Sequence, residues 1–213
     1  RLGTFGALAT LSFHETKNIS CGEGGALLIN DEALIERAEI LREKGTDRTR
    51  FLQGLVDKYT WVDIGSSVLP SDMLAAFLCA QLESHQQIQN GRGRIWDTYQ
   101  RELSGWAGAK GVGLPFVPPH CQQPYHMFYL LMPEADQRDV FISHLKSLDI
   151  QAVFHYQPLH CSAMGRRLSP DARCPVSEDV SARLVRLPFY NGMLEEEQER
   201  VIAGVRGFQR GRL

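Results

Sequence analysis

Ser12-Phe13-His14-Glu15-Thr16-Lys17-Asn18 sets a hydroxyl five residues ahead of a primary amine, and Gly22-Glu23-Gly24-Gly25 follows closely. From Ala7 to Phe13 the residues are small, apolar or β-branched, which predicts a buried strand. Polar residues and Lys17 come where that strand leaves the core. The glycines then bend the chain, and Ala26-Leu27-Leu28-Ile29 reads as a second strand. An amine at the mouth of a strand suits Schiff-base chemistry with an aldehyde cofactor, with the Ser12 hydroxyl on that cofactor's phosphate. The plain alternatives are a surface lysine and a serine bonded to backbone. The glycines form no Walker loop, because the lysine precedes them and no Gly-Lys-Ser/Thr follows.

A second group of polar residues is His155, Tyr156 and His160, with Cys161 adjacent. Its spacing fits no zinc pattern, Cys174 is distant in sequence, and Pro158 interrupts any helix between the histidines. The expectation is therefore no metal. His126 is a further candidate for polar contact. Arg48 and Arg50 could fork onto a carboxylate or simply face solvent.

The elements that must position these groups follow from periodicity. Asn30-Asp31 starts a helix with Leu34, Ala38 and Leu41 on one face, and Gly45 closes it at the C′ position. Residues 46–70 are irregular and long for a plain connector. Ser71-Asp72 caps a helix carrying Leu74, Ala75, Leu78 and Leu82, and a second pattern with Ile95, Trp96, Tyr99 and Leu103 follows Asn90-Gly91. Trp96 and Tyr99 read as packing residues. The glycine- and proline-rich stretch 105–124 is the expected linker between a large domain, 1–104, and a small α+β domain, 125–213. In that domain Met127 to Met132 and Gln151 to Phe154 read as strands. Helices are predicted from near Asp136, from Ser177 to Leu184 and from Leu194 to Phe208.

With 213 residues, a net charge of −2 and 43% hydrophobic residues, the chain has the composition of a globular protein. Neither a basic excess nor a basic run points to nucleic acid or a membrane surface. Five scattered cysteines fit reduced thiols, no apolar run reaches membrane-spanning length, and no signal peptide is visible; the expected location is cytoplasmic.

Ser-Phe-His-x-Thr-Lys-Asn with Gly-Glu-Gly-Gly-Ala resembles the lysine segment of the DegT/DnrJ/EryC1/StrS sugar aminotransferase family. The likeness continues through Glu36 to Thr46, Asp57 to Trp61, Asp63 to Ser67 and Phe154 to His160, so it covers nearly the whole chain. It implies an α/β fold of the fold-type-I, aspartate aminotransferase-like class. It also implies pyridoxal 5'-phosphate as cofactor, held as an internal aldimine on Lys17 with Ser12 on the phosphate. The implied reaction moves the amino group of L-glutamate to C4 of a dTDP-4-keto-6-deoxy sugar, in a homodimer with its active site at the interface. Within the family the likeness points to the branch whose product is dTDP-4-amino-4,6-dideoxygalactose, for surface polysaccharide of the enterobacterial common antigen type. His14, His155, Tyr156 and His160 are then candidates for substrate contact. Lys17 argues against the sister 3-dehydratases, which lack such a lysine. Two departures stand out. The family's phosphate-binding asparagine aligns near Leu69, leaving Ser66, Ser67 or Ser71 as replacements. In the family the lysine lies near the middle of a chain close to twice this length. The glycine-threonine phosphate loop and the aspartate on the pyridine nitrogen therefore have no counterpart here. A truncated, non-catalytic remnant acting only as a dimerising or binding fragment is the alternative reading.

Overall fold

The computed structural model describes residues 1–209. It divides into two compact units, Arg1–Gln86 and Gln87 onward.

In the first unit β1 (Leu8–Ser12) pairs antiparallel with β2 (Gly25–Ile29), in a register that sets Leu8 against Ile29 and Ser12 against Gly25. The two strands lie where the sequence puts them, but they are not buried: Leu8, Leu11 and Leu27 are each nearly half exposed. Unbroken apolar strands suit a sheet covered on both faces. The sheet of this unit has two strands, and its faces stay open to solvent. After β2, Asp31 accepts a hydrogen bond from the Ala33 N–H and opens a 3-10 turn, Glu32–Leu34, that runs into α1 (Ile35–Arg42). The left-handed residue after α1 is Lys44, not Gly45 alone (φ 62° and 74°), and the Gly45 N–H returns to the Ile40 carbonyl. A short α2 (Arg48–Leu52) interrupts the irregular stretch. Ser71 then caps α3 (Asp72–Glu83) by accepting from the Leu74 N–H at 3.3 Å.

The second unit is built on α4 (His85–Lys110), which buries Ile95, Trp96, Tyr99, Leu103 and Ala107. This helix runs through Gly105 and Gly108, so the first part of the glycine-rich stretch is helical and the contact boundary falls at 86/87 instead. Leu103 and Ala107, four apart, face the core beside half-buried Trp106, and that burial outweighs the ~1 kcal/mol each glycine costs. Against α4 lies a three-stranded antiparallel sheet in the order β3-β5-β4: β3 (Tyr129–Leu131), β4 (Val153–Phe154) and β5 (Leu184–Arg186). The expected strand at 127–132 is thus present but short. The helix expected to reach Leu184 ends one residue earlier, where the central strand begins. Between the strands stand α5 (Ala135–Ser147), α6 (Ala163–Leu168) and α7 (Pro175–Arg183), and α8 (Glu195–Arg206) closes the unit. On α5 the inward residues are Phe141 and Leu145, while Val140 and the residue after the helix, Leu148, are exposed. Phe128, Leu130, Phe141, Leu145, Val185 and Val205 form a fully buried centre.

Candidate functional site

The loop from β1 to β2 is a closed structure. Beyond the strands, the Phe13 N–H donates to the Gly24 carbonyl and the Glu15 N–H to Gly22, each at 2.8 Å, and the Cys21 N–H returns to Phe13 at 2.9 Å. Gly22 supplies the positive φ (85°) this return needs. Gly24 allows the buried Cys21 to sit beneath the chain, since a Cβ there would lie 2.6 Å from its Sγ. The tip this closure presents is His14 to Ser20. Lys17 is on it, exposed, its N–H donating to the His14 carbonyl at 2.9 Å. Ser12 ends β1, also exposed, and its Oγ accepts from the His14 N–H at 3.4 Å.

His14 is oriented by its neighbours. Its Nδ1 accepts from the Thr16 N–H at 3.2 Å and lies 3.0 Å from Thr16 Oγ1. An accepting Nδ1 leaves the ring proton on Nε2, which faces the Glu23 carboxylate at 3.5 Å. A hydroxyl, an imidazole and an amine are therefore grouped on one hairpin end by a local hydrogen-bond network. The donor set fits pyridoxal phosphate. The amine matches its aldehyde, and the Ser12 hydroxyl, used so far as an acceptor, keeps its own proton for a phosphate oxygen.

The arginines of residues 46–70 are bound within the chain. Arg48 pairs with the nearly buried Glu43, and Arg50 with Glu36 at 2.8 Å. Ser71 is used as a helix cap. Leu69 is partly exposed.

In the second unit His155 and Tyr156 stack ring against ring at 3.8 Å between centroids. The residue that organises them is Arg186, which sequence reading did not single out. It lies on the central strand opposite both Tyr129 and Val153. Its Nη1 sits 3.0 Å from His155 Nδ1 and 3.5 Å from the Tyr156 hydroxyl. Burial first, then the Arg186 charge, holds the His155 pKa below the usual imidazole value. Arg186→Gln is expected to raise it, because the repulsion that opposes ring protonation is removed. An NMR titration of the His155 ring proton checks this, and an unchanged midpoint would contradict it.

His160 makes a different contact from His155 and Tyr156. It points to α7, where its Nε2 meets the Glu178 carboxylate at 2.7 Å. Glu178 also accepts the Cys174 N–H at 3.0 Å, and these two bonds keep its carboxyl below the usual carboxylate range. Glu178 reads in sequence as one more helix-surface acid, so nothing there marked it. His126 contributes its carbonyl to Arg92 at 2.6 Å.

The profile of the DegT/DnrJ/EryC1/StrS aminotransferase family matches residues 1–206. Among curated proteins, the chain is 31% identical over 209 residues to the dTDP-3-amino-3,4,6-trideoxy-alpha-D-glucose transaminase of Streptomyces venezuelae, covering 97% of this chain and 51% of that protein. It is 30% identical to the dTDP-4-dehydro-2,3,6-trideoxy-D-glucose 4-aminotransferase of Saccharopolyspora spinosa, covering 94% and 52%. Of solved structures, the aminotransferase TlmJ from Streptoalloteichus hindustanus matches with a TM-score of 0.83 at 25% identity, over 96% of this chain and 52% of the other. A DegT DnrJ EryC1 StrS aminotransferase from Brucella abortus matches with 0.79 at 26% identity, over the same shares. The chain spans about half the length of these relatives. Its fold is the fold-type-I α/β fold of those aminotransferases. By the family match over nearly all its length, the chain belongs to the DegT/DnrJ/EryC1/StrS aminotransferase family.

Proposed function

We propose that this chain carries the reactive lysine of a pyridoxal-phosphate-dependent sugar-nucleotide aminotransferase. The observation that carries the reading is Lys17 exposed on a hydrogen-bonded loop, with Ser12 at the end of the adjoining strand. When bound, pyridoxal phosphate supplies an aldehyde for amines and an electron-withdrawing ring. Lys17 Nζ would hold the cofactor through its aldehyde carbon, and its amine would be the group placed to take the proton from Cα of the amino donor. Ser12 Oγ holds the phosphate, and His14 flanks the loop tip, its ring orientation set by Thr16.

The donor is L-glutamate and the acceptor C4 of a dTDP-4-keto-6-deoxy sugar, with dTDP-4-amino-4,6-dideoxygalactose as product, for common-antigen-type surface polysaccharide. Supporting the sugar class, both curated relatives are named for dTDP-linked sugars. His155 and Tyr156 contact polar groups of the sugar nucleotide. The working form is a cytoplasmic homodimer. We also infer that the 213 residues alone hold the cofactor weakly: no phosphate loop or ring-nitrogen aspartate is assigned in them, and the faces of β1 and β2 are open.

The experiment is a spectrum with added pyridoxal phosphate, borohydride reduction and peptide mapping, on this chain and on a version extended to the relatives' length. A visible band with a phosphopyridoxyl group on Lys17, stronger in the long form, is expected. Absence of label in both forms would overturn the assignment and leave the non-catalytic reading.

A further inference from the structure

We propose that the α6–α7 lobe binds a thiophilic divalent metal ion of the zinc class, through a ring nitrogen of His160, Sγ of Cys161 and a carboxylate oxygen of Glu178. The spacing of His160 and Cys161 in sequence predicts no metal, but α7 brings Glu178 to them; the transamination reading touches this cluster only through His160 as a candidate for substrate contact, and the proposal does not rest on that reading.

One ligand atom from each of the three residues lies within 4.8 Å of the others. Ligand atoms around a tetrahedral zinc ion at ~2.0–2.3 Å stand ~3.5 Å apart, so closing on the ion asks for about an ångström of side-chain movement. The donors are one imidazole, one thiol and one carboxylate, the mixture that zinc-class ions accept and hard cations such as magnesium do not favour. The fourth position falls to water.

The supports are rigid. His160 and Cys161 belong to a single 3-10 turn, Leu159–Cys161, closed by the Cys161 N–H on the Pro158 carbonyl at 2.9 Å. The Gln157 side chain holds the Cys161 carbonyl at 3.2 Å. Ser162 caps α6 through the Gly165 N–H at 3.0 Å. Gly165 packs so closely on the turn that a Cβ there would stand 2.0 Å from the Leu159 carbonyl oxygen. Glu178 comes from the first turn of α7, which Pro175 starts.

These side chains line a cavity of about 380 Å³ together with Arg166 and Arg173. The two arginines would repel a bare cation. A thiolate and a carboxylate cancel a divalent charge, so the loaded centre sits neutral beside them. On binding, the Cys161 thiol gives its proton to solvent, the His160–Glu178 hydrogen bond opens, and metal–sulfur, metal–nitrogen and metal–oxygen bonds replace bound water. The ion would then tie the loop at His160 to α7 across eighteen residues of sequence.

The test is a Co²⁺ titration of the reduced 213-residue chain, read by visible d–d bands and a near-ultraviolet thiolate-to-metal band. One equivalent is expected to saturate both, and Zn²⁺ to bleach them. Cys161→Ser should abolish the thiolate band, and Glu178→Gln should weaken binding at least tenfold. Cys79→Ser, on exposed α3, should leave the spectrum unchanged. Far-UV circular dichroism confirms that each variant is folded. A wild-type chain with no thiolate band overturns the proposal, as does a band that survives Cys161→Ser or vanishes with Cys79→Ser.

Discussion

On the proposed function, and in the version extended to the relatives' length, Lys17→Ala is expected to remove the phosphopyridoxyl label and to lower transamination by about 10³-fold or more, the scale of losing a positioned base together with the covalent attachment point. The loop accounts for why the loss should be local. Its closure depends on backbone bonds from Phe13, Glu15 and Cys21 and on the glycines, and the Lys17 side chain takes no part in any of them. Fold and melting temperature should therefore stay unchanged while the chemistry disappears. Lys17→Arg separates charge from reactivity: it keeps a cation on the tip but has no amine able to condense with an aldehyde. Equal loss in both variants assigns the role to the amine. Activity retained by Lys17→Arg would mean that charge alone matters. Ser12→Ala, which leaves the amine in place, should weaken cofactor retention and leave the label on Lys17 at saturating cofactor. The readouts are mass spectrometry of the reduced peptide and glutamate-dependent amination of the keto sugar.

What the sequence disclosed depended on how far apart in the chain the causes lay. That Lys17, Ser12 and His14 would share one hairpin end was legible because that hairpin and its glycines hold all three. Strand, turn and amine are written within about fifteen residues, and their order survives folding unchanged. The α3 cap at Ser71 and the buried face of α4 were legible for the same reason, since helical periodicity and capping are local. Arg186 was not. It lies beyond an apparent helix end, and only pairing with strands more than thirty and more than fifty residues earlier makes it the central strand. Glu178 was hidden likewise, its partner His160 being eighteen residues back. The histidines of 155–160 looked like one cluster in sequence, yet the turn at Pro158 sends His155 to the sheet and His160 to α7. The apolar runs of β1 and β2 foretold strands correctly and burial incorrectly. A run of side chains reports what a strand is suited to meet, while burial depends on which elements meet it.

Arg92→Ala is expected to destabilise the second unit by ~3–4 kcal/mol, through three hydrogen bonds that no other residue can make. Arg92 is 6% exposed. Its Nε donates to the Tyr125 carbonyl at 2.7 Å, Nη2 to the His126 carbonyl at 2.6 Å and Nη1 to Asn191 Oδ1 at 2.8 Å. The Phe189 ring lies 4.7 Å beneath it. Burial lowers its pKa to about 10, so it is charged at neutral pH. Charge-assisted bonds contribute ~1.5–3 kcal/mol each, and stranded carbonyls cost ~1–3 kcal/mol each. The partial relaxation of the site keeps the total below their sum. Tyr125 sits at a left-handed φ of 50°, a conformation an aromatic residue rarely holds without outside support, and Arg92 grips its carbonyl. The same side chain joins the segment entering β3 to the segment leaving β5, so its loss should loosen the strand that carries Arg186. Thermal unfolding followed by tryptophan fluorescence, which reports Trp96 and Trp106 of this unit, should show a midpoint lowered on the order of 10 °C. Arg92→Lys, which keeps the charge without the fork, should fall between wild type and alanine. A shift under about 1 kcal/mol for the alanine variant would place the hold on Tyr125 elsewhere. With the larger shift, the His155 ring should also titrate nearer its ordinary value, because the burial and the arginine that depress it both depend on that strand.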